Sequence, residues 1–197
     1  MVGAHLGVRG RLGLGVWLLA SIAGLGASAR EEPPPVDDPC VNDHGGLLGP
    51  RDLAAVRAVC DKARKQRIAI TVVTVTSLAQ HKSRLQGMER FVDDLFDEMD
   101  VEYEDQPNAI LLFVARKERE IRVRVGDGYP DKAHRTVAGI IRGTVGPLLG
   151  RSPSSAVRKG VDRLWDEVGR PRVRALEKEQ RAREQKRGHV NFEDEEE

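Results

Sequence analysis

Aromatic residues are scarce in this 197-residue chain, which holds four Phe, two Tyr and two Trp. That supply leaves little for the stacking platforms of single-stranded nucleic-acid binders or for aromatic carbohydrate clefts. One-sided charge is missing as well. Thirty-two Lys and Arg face 31 Asp and Glu, a formal net charge of +1, where a generic nucleic-acid binder carries a clear basic excess. The familiar catalytic signatures are absent: no Gly-x-Gly-x-x-Gly turn, no Walker loop, no Gly-x-Ser-x-Gly elbow and no His-Glu-x-x-His. His5, His44, His81, His134 and His189 stand too far apart in sequence to form an obvious ligand pair. Only two cysteines occur, Cys40 and Cys60, and their spacing fits neither a Cys-x-x-Cys redox motif nor a four-ligand zinc site.

What is present falls into segments. Arg9 and Arg11 precede an apolar, Gly-interrupted run, Leu12–Gly26, and then Ala27-Ser28-Ala29, a small-x-small cleavage pattern. This is the shape of a secretory signal peptide, with an apolar run short of the roughly 20 residues that span a bilayer. The expectation is an exported chain, periplasmic or secreted, with residues 1–29 removed and no transmembrane helix in the mature part. Residues 30–39 form an acidic, proline-rich linker. A domain over 40–169 and a charged helix with an acidic tail over 170–197 complete the division. Export permits a Cys40–Cys60 disulfide; a buried Cys60 beside an exposed Cys40 thiol is the alternative.

Within the domain, Leu53, Val56, Val59, Cys60 and Ala63 repeat at helical spacing after Gly49-Pro50. Ile68–Val75 reads as a strand covered on both faces. Leu85, Met88, Phe91, Val92, Leu95, Phe96 and Met99 form a second helical stripe, and Ala109–Val114 a second buried strand. Ile121, Val123 and Val125 alternate with charged residues, the pattern of a half-exposed antiparallel strand whose Arg122 and Arg124 guard an edge. Helices are expected from Pro130-Asp131 and from Ser152-Pro153, with Ser152 as N-cap. The strand–helix–strand order demands a parallel crossover. The fold class is therefore α/β, a three-layer α/β/α sandwich with a small mixed β-sheet.

That topology brings the loop Gly126–Asp131 beside Asn108 and the acidic stretch holding Asp97, Asp100, Glu102, Glu104 and Asp105. Converging carboxylates repel one another unless they are solvated or neutralised, and oxygen-only ligands suit calcium or magnesium. The alternative makes Asp127 a turn residue, Asp131 a helix N-terminal acid and the rest a solvated loop. Asp43 is placed at the opposite end of the sheet, near Thr76, Ser77 and the turn Arg116–Arg119. There it is either a ligand-binding acid at the carboxyl ends of parallel strands or an Asx-turn before a helix. Residues Arg170–Arg187, with eight cations and three anions, form a net basic segment of the kind that can dock on anionic lipid or nucleic acid. Here the acidic tail after it can fold back and compete, and the reading is a solvated helix with a disordered end.

Val41-Asn42-Asp43-His44-Gly45-Gly46-Leu47-Leu48, Ile70–Leu78, Asn108–Ala115 and Arg122–Gly128 together resemble four ordered motifs of the TPM domain family. The resemblance spans Val41 to Val168. It implies an α/β/α fold, an exported or lumenal setting and, in some members, calcium binding and acid phosphatase activity; other members act as accessory partners of membrane protein complexes. Carried onto this chain, it points to Ca2+ held by acids among Asp43, Asp100, Glu104, Asp127 and Asp131, and to an envelope or membrane protein complex as partner, with no nucleic acid. Departures stand at His44, where an aromatic is common, and at Tyr129-Pro130, where a Glu is usual. The leading expectation is an exported accessory module that binds calcium. The rival is a weak acid phosphatase using Asp43.

Overall fold

The structure, a computed structural model, describes residues 34–81, 87–100 and 106–193. In chain order the elements are β1 (Val41–Asp43), α1 (Pro50–Arg64), β2 (Ala69–Val75), α2 (Met88–Asp100), β3 (Ala109–Ala115), β4 (Glu120–Val125), α3 (Asp131–Ile140), α4 (Gly146–Leu149), α5 (Pro153–Leu164) and α6 (Arg170–Glu193). Wider π turns at Ile141–Val145 and Trp165–Gly169 join α3 to α4 and α5 to α6. Leu85 and the acidic stretch 101–105 lie outside the described residues.

The four strands run in the order β1-β2-β3-β4. The first three are parallel, with Asp43 opposite Thr74 and Ala69 opposite Ala109; β4 returns antiparallel, placing Val125 opposite Ile110. The β-branched and apolar runs behave as central strands should. Val72, Val73, Val75 and all of β3 are buried, and their side chains divide by parity between two cores. Ile70, Val72, Ile110, Leu112 and Val114 pack with α1, α3 and α5 on one face. Val73, Val75, Leu111 and Phe113 meet Phe91, Leu95 and Phe96 of α2 on the other. Each such side chain contributes about 1.5–3 kcal/mol by leaving water. Two independent cores on one sheet make the three-layer α/β/α sandwich.

Three local expectations change. Val41-Asn42-Asp43 is a fourth strand, although three residues show no alternation to read; Asp38 aligns it by accepting from the Cys40 and Val41 N–H groups at 2.8 and 3.0 Å. Ser152 stands at the N-cap of α5 but makes no side-chain cap bond. Ser154 takes the polar role instead, accepting from Gly49 N–H and donating to Asp52 at 2.6 Å. Helix α6 runs on unbroken from α5 through the π turn and continues for 24 residues. A disulfide joins Cys40, ahead of β1, to Cys60 of α1.

Arg122 and Arg124 do stand on the edge strand, and they do more than guard it. Arg124 lies over the Phe96 ring and pairs with Asp93 at 3.1 Å, while Arg122 faces Glu89 at 3.9 Å. Their stems thereby help clamp α2 against the sheet.

Candidate functional site

Polar side chains collect at the two ends of the strands. At the carboxyl end of the parallel strands, the half-buried Asp43 accepts from Leu47 N–H through Oδ1 and from Leu48 N–H through Oδ2, both at 2.9 Å. The Thr74 hydroxyl also donates to Oδ1. Gly45 N–H in turn donates to the Thr74 hydroxyl and carbonyl oxygens, each at 3.0 Å. A Cβ on Gly45 would stand 2.9 Å from Thr74 Oγ1 and from the Val75 carbonyl oxygen, so this close approach requires glycine. The acid therefore closes its own loop onto β2, as an Asx-type turn does.

Next to it, Glu118 clips the hairpin to the end of β2. Its Oε1 accepts from the Ser77 hydroxyl at 2.6 Å and from Leu78 N–H at 3.1 Å. Arg116 reaches the Gly45 carbonyl at 3.3 Å. The expected neighbourhood of Asp43, Ser77 and the Arg116–Arg119 turn is present, with both acids turned inward onto backbone N–H groups and hydroxyls.

At the opposite end, Gly126 N–H donates to the Ala109 carbonyl at 3.0 Å and Gly128 N–H to the Pro107 carbonyl at 2.9 Å. This is the expected approach of the Gly126–Asp131 loop to Asn108. Tyr129 is buried, and its hydroxyl donates to the Asn108 carbonyl at 3.0 Å. Burial pushes the Tyr129 phenol well above its ordinary range, and the positive charge of Arg172 offsets part of that. The Asp127 carboxylate is 97% exposed and stands 4.0 Å from Arg124. Asp131 is exposed at the first turn of α3. Glu104 and the side chain of Asp100 lie outside the described residues. Among the described residues no group of three His, Cys, Asp or Glu side chains converges to hold a metal.

The cation that the structure brings to this corner is Arg172. Its Nε donates to Asn108 Oδ1 at 2.8 Å, its Nη1 pairs with Glu179 at 3.0 Å, and its side chain is only 13% exposed. A Cβ on Gly128 would lie 2.4 Å from the Pro107 carbonyl oxygen and 2.9 Å from Arg172 Nη2. The loop, the start of β3 and α6 thus interlock around one glycine. Composition hid Arg172 inside a charged run. The signal was spacing: Val161, Leu164 and Val168 lead four residues on to Arg172, then to the half-buried Leu176.

Asp43 is thus separated from Asp127 and Asp131 by the length of the sheet. Of the five acids read from the sequence, the three whose side chains are described therefore do not converge on one site.

A family description, the TPM domain, matches residues 41–167. Among solved structures, the chain is similar to the N-terminal domain of a protein from P. gingivalis, 24% identical, with a TM-score of 0.51, covering 65% of this chain and 83% of that one. It also resembles the N-terminal domain of a Corynebacterium glutamicum protein, 15% identical, with a TM-score of 0.47, covering 68% and 80%. The first likeness bears on the fold alone. No functionally curated protein matches the chain. No described helix is long and apolar enough to cross a membrane.

Proposed function

The chain belongs to the TPM domain family, and from that premise we propose that it is an exported binding module serving an envelope or membrane protein complex. The observation that carries this reading is the employment of Asp43, the acid a phosphatase reading would use. Both of its oxygens are engaged by Leu47 N–H, Leu48 N–H and Thr74 Oγ1, so it serves as a loop clasp. The Cys40–Cys60 disulfide supports an oxidising, exported setting. Calcium is the ligand we add, on Asp127 and Asp131, whose carboxylates face solvent at the Gly126–Asp131 loop.

Two measurements test the proposal. Purified protein, assayed on a generic phosphomonoester beside Asp43→Asn, is expected to show no turnover that the substitution removes; activity abolished by Asp43→Asn would replace the binding module with an enzyme. For calcium, binding to the folded state alone must raise the melting temperature relative to chelator. That rise is expected to vanish in Asp127→Asn/Asp131→Asn. No shift at millimolar calcium in the unsubstituted protein removes calcium from the proposal.

A further inference from the structure

Along helix α6, every residue from Glu177 to Arg187 is exposed. A helix that is polar all round bridges domains through solvent, is held by pairs along its own length, or is not stable by itself. The pairs here are Gln180 to Glu184 at 3.0 Å and Arg172 to Glu179 at 3.0 Å. Between Arg170 and Arg187 the helix holds eight cations and three acids, and the acidic run Glu193–Glu197 follows in sequence.

The end of α1 and the turn after it add Lys62, Arg64, Lys65 and Arg67 against Asp61. The two stretches together hold twelve cations and four acids, and they meet along a groove of about 260 Å³ lined by Arg67, Arg172, Leu176, Glu179, Gln180 and Arg183. Arg172 is answered by Glu179 and Asn108. Among the described residues no carboxylate pairs with Arg67 or Arg183. Arg67 also holds φ at 62°, a left-handed position after a helix where glycine is the residue the backbone favours.

We propose that this groove and the exposed length of α6 dock on an anionic phospholipid surface through its phosphate groups. Charge complementarity selects that occupant, because among the described residues the array offers mainly solvated cations. A second copy of the chain is the competing occupant, since α2 carries Glu89, Asp93, Asp94, Asp97 and Glu98. Yet Glu89 and Asp93 already face Arg122 and Arg124. The basic groove and α2 also lie on opposite faces of the sheet, so their contact between two copies is head-to-tail and leaves one of each face open.

The test is co-sedimentation of the full chain with vesicles of phosphatidylcholine alone and of phosphatidylcholine mixed with phosphatidylglycerol. Affinity for the anionic vesicles is expected to exceed that for the neutral ones by about tenfold or more in low salt, and the difference to collapse at several hundred millimolar salt. Arg9 and Arg11 beside Leu12–Gly26 also favour anionic lipid, so the comparison with a variant that keeps them isolates the basic face. Arg67→Glu/Arg183→Glu/Lys186→Glu/Arg187→Glu changes only exposed side chains and is expected to remove most of the difference while melting as the unsubstituted protein does. Arg67→Gly is expected to melt higher yet bind anionic vesicles more weakly, which separates charge from folding. No preference for anionic vesicles, or a fourfold variant that binds as before, overturns the proposal. So does displacement by inorganic phosphate beyond that of chloride at equal ionic strength, which would assign the site to free phosphate. Self-association lost in the fourfold variant would assign it to a second copy.

Discussion

The two ends of the sheet treat their acids in opposite ways. At the carboxyl end of the parallel strands, Asp43 and Glu118 turn inward and accept from backbone N–H groups and hydroxyls. At the other end, Asp127 and Asp131 face water, and the interior is closed by a tyrosine and an arginine. An inward carboxylate is part of the fold, and a ligand that took it would have to open a loop. An outward one is available at no cost to packing. Proximity of acids to a strand end therefore says little about function until the donors around each are known.

The contrast breaks most readily at Asp43 and Asp127. Asp43→Ala leaves two backbone N–H groups and the Thr74 hydroxyl without their acceptor, and is expected to lower stability by about 2–3 kcal/mol. Asp127→Ala removes only a solvated carboxylate and is expected to cost less than about 0.5 kcal/mol. Denaturant melts of the two variants decide the matter, and equal losses would erase the distinction between the ends. Gly128→Ala probes the packed part of the outward-facing end. The added methyl would meet the Pro107 carbonyl oxygen at 2.4 Å, and the loop or α6 must give way, for an expected loss of about 1–3 kcal/mol. A neutral Gly128→Ala would mean that loop, β3 and α6 are not locked together.

Periodicity made most of the scaffold legible. Continuous apolar runs gave β2 and β3, and helical stripes gave α1, α2, α3 and α5, because a two-faced sheet forces those patterns on any sequence that forms it. Strand β1 escaped because three residues carry no period, and its pairing depends on Asp38 and on β2, far off in the chain. The ends of the sheet were legible as places: Gly126–Asp131 does meet Asn108, and Asp43 does sit by Ser77. Their chemistry was less so. Whether Asp43 points at solvent or at Leu47 N–H is decided by a loop geometry that residue type does not encode, and Arg172 arrives from a helix more than sixty residues beyond Asn108.

Asp38 sharpens the comparison by a smaller effect, since it is an inward-acting acid whose employment has a pH signature. Burial works to raise its carboxyl, but the Cys40 and Val41 N–H groups and the Arg57 guanidinium, 2.7 Å away, outweigh that and hold it below the usual carboxylate value. The folded state thus binds the Asp38 proton more weakly than the unfolded chain, where the group titrates near about 3.9. Its contribution is fully present above that value and is lost as pH falls through the depressed folded value. Asp38→Asn is therefore expected to be less stable than the unsubstituted protein at neutral pH, with the gap narrowing below about pH 4. Asp127→Asn is expected to run nearly parallel to the unsubstituted protein, because the Asp127 carboxylate is 97% exposed and its long ion pair with Arg124, at 4.0 Å, is solvated. Denaturant melts from neutral to acid pH would show both curves, and a gap for Asp38→Asn that widened on acidification would refute the role of its N–H donors.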